Sequence, residues 1–75
     1  MKEKIELEIL TAANELNAVK PDQVALLVEN NLRFDGEVYA VDAKGRPRYS
    51  ADGRRLGSFE VVSEFLKRNP HFVKQ

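Results

Sequence analysis

The chain has 75 residues, with twelve basic and twelve acidic side chains, one histidine and no cysteine. That length accommodates one domain with one small core, so stability must come from efficient packing or from a partner. The missing cysteine excludes a disulfide framework and any thiolate metal site, and no apolar run reaches the roughly 18 residues that a membrane span requires. The N-terminal Met-Lys-Glu-Lys-Ile-Glu-Leu-Glu places acids where a secretory signal needs an apolar segment. A cytoplasmic protein with no membrane partner is the expectation. The balanced total conceals a polarity. Residues 1–43 carry four basic and nine acidic side chains, residues 44–75 eight and three. Such a split suits head-to-tail self-association, or a partner that reads one end of the molecule.

In chain order, residues 3–17 read as an amphipathic helix. Ile5, Ile9, Ala12, Leu16 and Val19 recur at helical spacing, Leu10 and Ala13 widen the stripe, and acids crowd the first turns, where the helix dipole favours them. Asn17 is the expected stop, because asparagine tolerates the left-handed conformation that closes many helices. The same spacing describes a coiled-coil seam two heptads long, and packing on the domain's own core is the competing use. A second helix is expected from Pro21 to about Asn30. Proline at the first helical position wastes no amide hydrogen, Val24, Leu27 and Val28 form the stripe with Leu26 beside it, and Lys20 is a poor N-cap.

The stretch from Leu32 to Leu56 has turn dipeptides at Asp35-Gly36, Lys44-Gly45 and Asp52-Gly53, with short runs rich in Val, Tyr and Phe between them. That is the pattern of strands doubling back. Leu32 and Phe34 enter the first turn, Glu37–Val41 is the best strand in the chain, and residues 46–49 are expected to return beside it. Pro47 and the flanking arginines confine that return to a short edge strand. Ser58 is then the expected N-cap of a last helix, with Phe59, Val62, Phe65 and Leu66 on its buried face and Lys67 and Arg68 in its last turn. Asn69-Pro70 ends it, and Phe72 folds back onto the core. The fold class that follows is α+β, one small domain over residues 1–75 in the order α-α-β-β-α: two N-terminal helices, a central β-hairpin and a C-terminal helix.

No residue pattern points to catalysis, and no cofactor is implied. His71 is the single histidine, with neither nucleophile nor orienting acid marked near it, and the glycines at 36, 45, 53 and 57 are spaced for turns and lack any phosphate-binding pattern. A basic group does stand out. Lys44, Arg46, Arg48, Arg54 and Arg55, with Tyr49 among them, line one edge of the hairpin region, where they suit phosphates and a stacked base or else an acidic protein surface. The overall neutrality argues against nucleic acid.

The motifs A-x-E-L-N-A, V-K-P-D-Q-V-A-L-L-V-E-N and F-D-G-E-V-Y-A-V-D follow one another, and the chain closes on L-G-S-F-E-V-V-S-E-F-L-K-R-N-P-H-F-V-K. In this order they resemble tailed-bacteriophage scaffolding proteins, over residues 12–42 and 56–73. The resemblance departs at Asn17, where a glycine is usual, and at Lys20, where an aspartate is. The long charged helical region of those proteins has no counterpart beyond residues 2–10, so the expectation is a domain from a longer chain or a stand-alone relative. The resemblance implies a non-enzymatic role: binding the major coat protein during head assembly and leaving before or during DNA packaging. The coat-binding surface is then expected on the basic edge and last helix, at Arg46, Arg48, Arg54, Arg55, Lys67 and Arg68, with Phe59, Phe65 and Phe72 in the core. Two alternatives stand beside it: a small nucleic-acid-binding module using the same edge, and an adaptor that dimerises through the first helix by Ile5 and Ile9.

Overall fold

A computed structural model of the chain describes residues 2–74. Its elements are α1 (Lys2–Glu15), α2 (Pro21–Val28), β1 (Leu32–Phe34), β2 (Val38–Ala40) and α3 (Ser58–Arg68), with 3-10 turns at Glu29–Asn31 and Pro70–Phe72. This is the expected α+β order of two helices, a hairpin and a last helix.

Helix α1 presents Ile9, Ala12 and Ala13 to the core, and Ile5, Leu10 and Leu16 pack around them partly buried. It ends on Asn17 at a φ of 63°. There Asn17 N–H donates to Asn14 O at 3.2 Å and Ala18 N–H to Ala13 O at 2.9 Å, the paired bonds that satisfy the last free carbonyls of a helix. The chain therefore leaves the helix before Val19, which stays exposed where the helical stripe would have buried it. In α2, Pro21 stands at the start and Lys20 makes no side-chain capping bond. Its buried face is Val24, Ala25 and Val28, whereas Leu26 and Leu27 are exposed. Small Ala25, in one cluster with Ala12 and Ala13, lets two helices approach closely, so the helix turns Leu27 outward. The last expected residues of α2 tighten into a 3-10 turn, Glu29–Asn31.

The hairpin pairs Leu32 with Ala40, Arg33 with Tyr39 and Phe34 with Val38, antiparallel. Alternation does the rest: Leu32, Val38 and Ala40 are buried against the helices while Arg33 is exposed on the other face. The loop between the strands turns at Gly36, with φ 74°, and the later turns at Gly45 and Gly53 likewise have positive φ. The edge strand expected over residues 46–49 does not form as a regular strand. Single bridges join Val41 to Pro47 and Tyr49 to Arg55. Pro47 has no N–H to extend the first, so the ladder passes to Arg48 N–H donating to Ala40 O at 3.0 Å and Leu56 N–H donating to Arg48 O at 2.9 Å.

Helix α3 begins one residue away from its expected cap. Gly57 takes the N-cap position, and its N–H donates to the Glu60 carboxylate at 2.9 Å. Ser58 is instead the first helical residue, buried, with its Oγ donating to Glu8 Oε1 at 3.1 Å. The buried face of α3 is Val61, Val62 and Leu66 beside Ser58. Phe65 is partly buried against Phe72, their ring centroids 5.3 Å apart. Phe59 is 47 % exposed and is not part of the core, because the buried stripe is centred on Ser58, Val61, Val62 and Phe65 and Phe59 lies at its edge, about 100° round the helix from Ser58. No buried side-chain nitrogen or oxygen among the described residues lacks a hydrogen-bond partner.

Candidate interaction surface

The segment 41–57 carries four of the six candidate residues, and two turns built on aspartates shape it. Asp42 Oδ1 accepts the N–H groups of Lys44 at 2.9 Å and Arg46 at 3.0 Å. Those amides, Arg46's foremost, hold the Asp42 carboxyl below its ordinary value. Asp52 plays the same part in the next turn, accepting from the Ser50 hydroxyl, the main reason its carboxyl is also lowered, and from Arg54.

The arginines then divide by what they touch. Arg48 Nη2 donates to Glu64 Oε2 on α3 at 2.7 Å, and Arg55 reaches Glu37 beside β2 while its guanidinium lies 4.2 Å from the Tyr39 ring centroid. Their side chains are only 33 % and 29 % exposed, so both act as ties between the irregular segment and the regular elements. Arg46 and Arg54 pair only within their own turns, with Asp42 and Asp52 at 3.2 Å each, and remain 70 % and 84 % exposed. Exposed pairs of this kind contribute little net stability, because water and salt screen them. A carboxylate arriving from outside competes with them on nearly even terms.

The six residues do not form one patch. Arg48 and Arg68 line a cleft of about 320 Å³ between α3 and the turn after β2, together with Glu64 and Asp42, the partner of Arg46. Arg54 and Arg55 line a second hollow with Glu37 and Glu60. Lys67 borders a third, between α1 and α3. Acids sit among the bases in the first two, which gives alternating charge where a nucleic acid backbone would select an unbroken positive stripe. Glu64 and Glu37, the acids that fix Arg48 and Arg55, were not visible as partners in the sequence. They lie 16 and 18 residues away, and no local pattern couples them.

His71 lies against Phe72 with ring centroids 4.6 Å apart and planes tilted by 45°. Among the described residues no group of three His, Asp or Glu side chains is arranged to hold a metal ion, and no helix is long and apolar enough to cross a membrane. Ile9, one of the two residues expected on a dimerising first helix, has no exposed surface and belongs to the domain's own core.

No family model matches the chain, and no curated protein or solved structure matches it. The likeness to scaffolding proteins rests on the short motifs quoted above.

Proposed function

We propose that this chain is a non-enzymatic assembly module of the tailed-phage scaffolding type, which docks on the major coat protein in the bacterial cytoplasm and inside the growing procapsid. The observation that carries this reading is the construction of segment 41–57. Arg48 and Arg55 anchor it to α3 and β2, while Arg46 and Arg54 project from two preformed turns with only weak pairs of their own. Because Asp42 and Asp52 already order the backbone of both turns, a partner has only side-chain freedom to restrict, which suits the weak, reversible, acid-directed contact that a transient scaffold requires. Arg68 borders the cleft that holds Arg48, whereas Lys67 faces the hollow between α1 and α3 and lies apart from these turns.

The test is co-purification with the major coat protein encoded in the same genome, using a variant that spares the anchors. Reversing Arg54 and Arg55 together would also remove the Glu37 and Tyr39 contacts, so the informative variant is Arg46→Glu with Arg54→Glu. It is expected to lose coat binding at about 0.15 M salt, where unburied charges act over roughly 8 Å, while unfolding at the wild-type temperature. Undiminished binding removes the basic turns from the proposal.

A further inference from the structure

No residue from Asp42 to Leu56 is buried, and of the apolar side chains in that stretch only Leu56 packs against the core, partly buried. The stretch stays in place through a few polar ties. Two backbone bonds run to a single residue of β2: Ala40 N–H donates to Leu56 O at 2.8 Å, and Arg48 N–H donates to Ala40 O at 3.0 Å. Two ion pairs join Arg48 to Glu64 on α3 and Arg55 to Glu37 beside β2, and the Arg55 guanidinium rests on the Tyr39 ring. The turns at Gly45 and Gly53 close on the stretch itself, through Gly45 N–H to Asp42 O and Gly53 N–H to Ser50 O. Its two ends are fixed, since Val41 before it and Ser58 beyond it are both buried.

Chain with few buried contacts opens at a free energy below that of global unfolding. We propose that residues 42–56 form a strap that opens as a unit while the three helices and the β1–β2 hairpin stay folded. Opening breaks the two bonds at Ala40, the two ion pairs and the contacts of Leu56 and Tyr39, and leaves the core cluster intact. Nor does it strand Glu64. Arg68, four residues on along α3, already acts on the Glu64 carboxyl and makes no ion pair with another described residue, so it is placed to take over from Arg48. Opening changes what the molecule displays. Both backbone polar groups of Ala40 are held by the strap, so its departure uncovers the outer edge of β2 as an unpaired strand edge. It also frees Arg48 and Arg55 from the acids that hold them. None of this depends on coat binding.

Hydrogen exchange of the native chain, followed residue by residue by NMR, tests the proposal at two neighbouring amides. Ala40 N–H donates to the strap, whereas Val41 N–H donates to Asn31 O at 2.9 Å, outside it. After correction for intrinsic rates, Ala40, Arg48 and Leu56 are expected to exchange together, with protection about tenfold or more below that of Val41, Ile9 and Val62. Their rates should be insensitive to urea below the unfolding transition, because opening exposes little surface. Leu16→Ala, altered in the hollow between the ends of α1 and α3, destabilises the closed and the open form alike. It is expected to speed exchange at Ile9 and Val62 and to leave Ala40, Arg48 and Leu56 unchanged. Equal protection at Ala40 and Val41, or equal acceleration of strap and core by Leu16→Ala, shows that the stretch leaves only when the domain unfolds and overturns the proposal. Should Leu16→Ala not fold, the contrast between Ala40 and Val41 decides.

Discussion

Asn17 ends α1 because its side chain can accompany a φ of 63° that most residues enter only at a cost of roughly 1–2 kcal/mol. Replacing it by glycine is expected to leave stability unchanged or slightly raised. Replacement by alanine should lower the free energy of unfolding by about 1 kcal/mol, read as a shift of the urea midpoint at constant slope. This residue was legible in the sequence because its requirement is local: one backbone angle at the end of one periodic run. Ser58 was not. A serine before an apolar run fits an N-cap, but Gly57 three residues before Glu60 offers the other half of the same pattern, a carboxylate returning to the cap N–H. What separates the two readings is Glu8, 50 positions earlier, which accepts from the Ser58 hydroxyl and turns it inward.

At the scale of elements, the segment between β2 and α3 is tied to β2 by isolated backbone bonds such as Arg48 N–H to Ala40 O, and the Arg48–Glu64 pair ties it to α3. The guanidinium, mainly through its hydrogen bond, holds the Glu64 carboxyl below the ordinary glutamate value of 4.5. A carboxyl depressed in the folded state favours folding above its unfolded value, and that contribution disappears as pH falls through the lower folded value. Stability is therefore expected to begin falling near pH 4.5 and to go on falling on further acidification. Asp42 and Asp52 add slopes of the same sign. Thermal unfolding of Glu64→Gln across pH 3–7 (approximately the carboxylate range) should give a flatter acid limb than the wild type. A double-mutant cycle with Arg48→Ala should return a coupling of at most about 1 kcal/mol, since both side chains are partly solvated. An unchanged acid limb in Glu64→Gln would remove this pair from the account.

Across the whole molecule, the C-terminal turn joins the end of α3 to the exit of α1. Val19 N–H donates to Phe72 O at 2.7 Å, Lys74 N–H donates to Asn17 O at 2.8 Å, and Ala18 bridges Val73. Phe72 adds its ring contact with Phe65. In a domain this small one aromatic contact is a large share of the net stability. Phe72→Ala is expected to cost about 2 kcal/mol, below the range for a fully buried phenylalanine because the site is half open. Removing residues 70–75 should cost more than Phe72→Ala, because it also takes away the backbone bonds that close the chain on itself. Equal melting temperatures for the truncated and intact chains would show that the closure contributes nothing.

The sequence by itself determined the order of elements, the stop of α1 at Asn17 and the glycine turns, because periodicity, prolines and positive-φ positions act over a few neighbouring residues. It also placed Ile9, Val24, Val62 and Leu66 in the interior correctly. Which side of each helix finds a neighbour is a different matter. Leu27 and Phe59 had the right spacing for burial and remain exposed, because α2 turns Ala25 inward beside Val24 and Val28 and the stripe of α3 is centred on Ser58, Val61 and Val62, with Phe59 at its edge. The candidate surface divides in the same way. Composition identified the arginines, but only the packing of segment 41–57 against α3 and β2 separated Arg48 and Arg55, bound to distant acids, from Arg46 and Arg54, which remain open to a partner. Pairings across 16 and 18 residues leave no trace in local sequence, since they depend on where the chain returns in space.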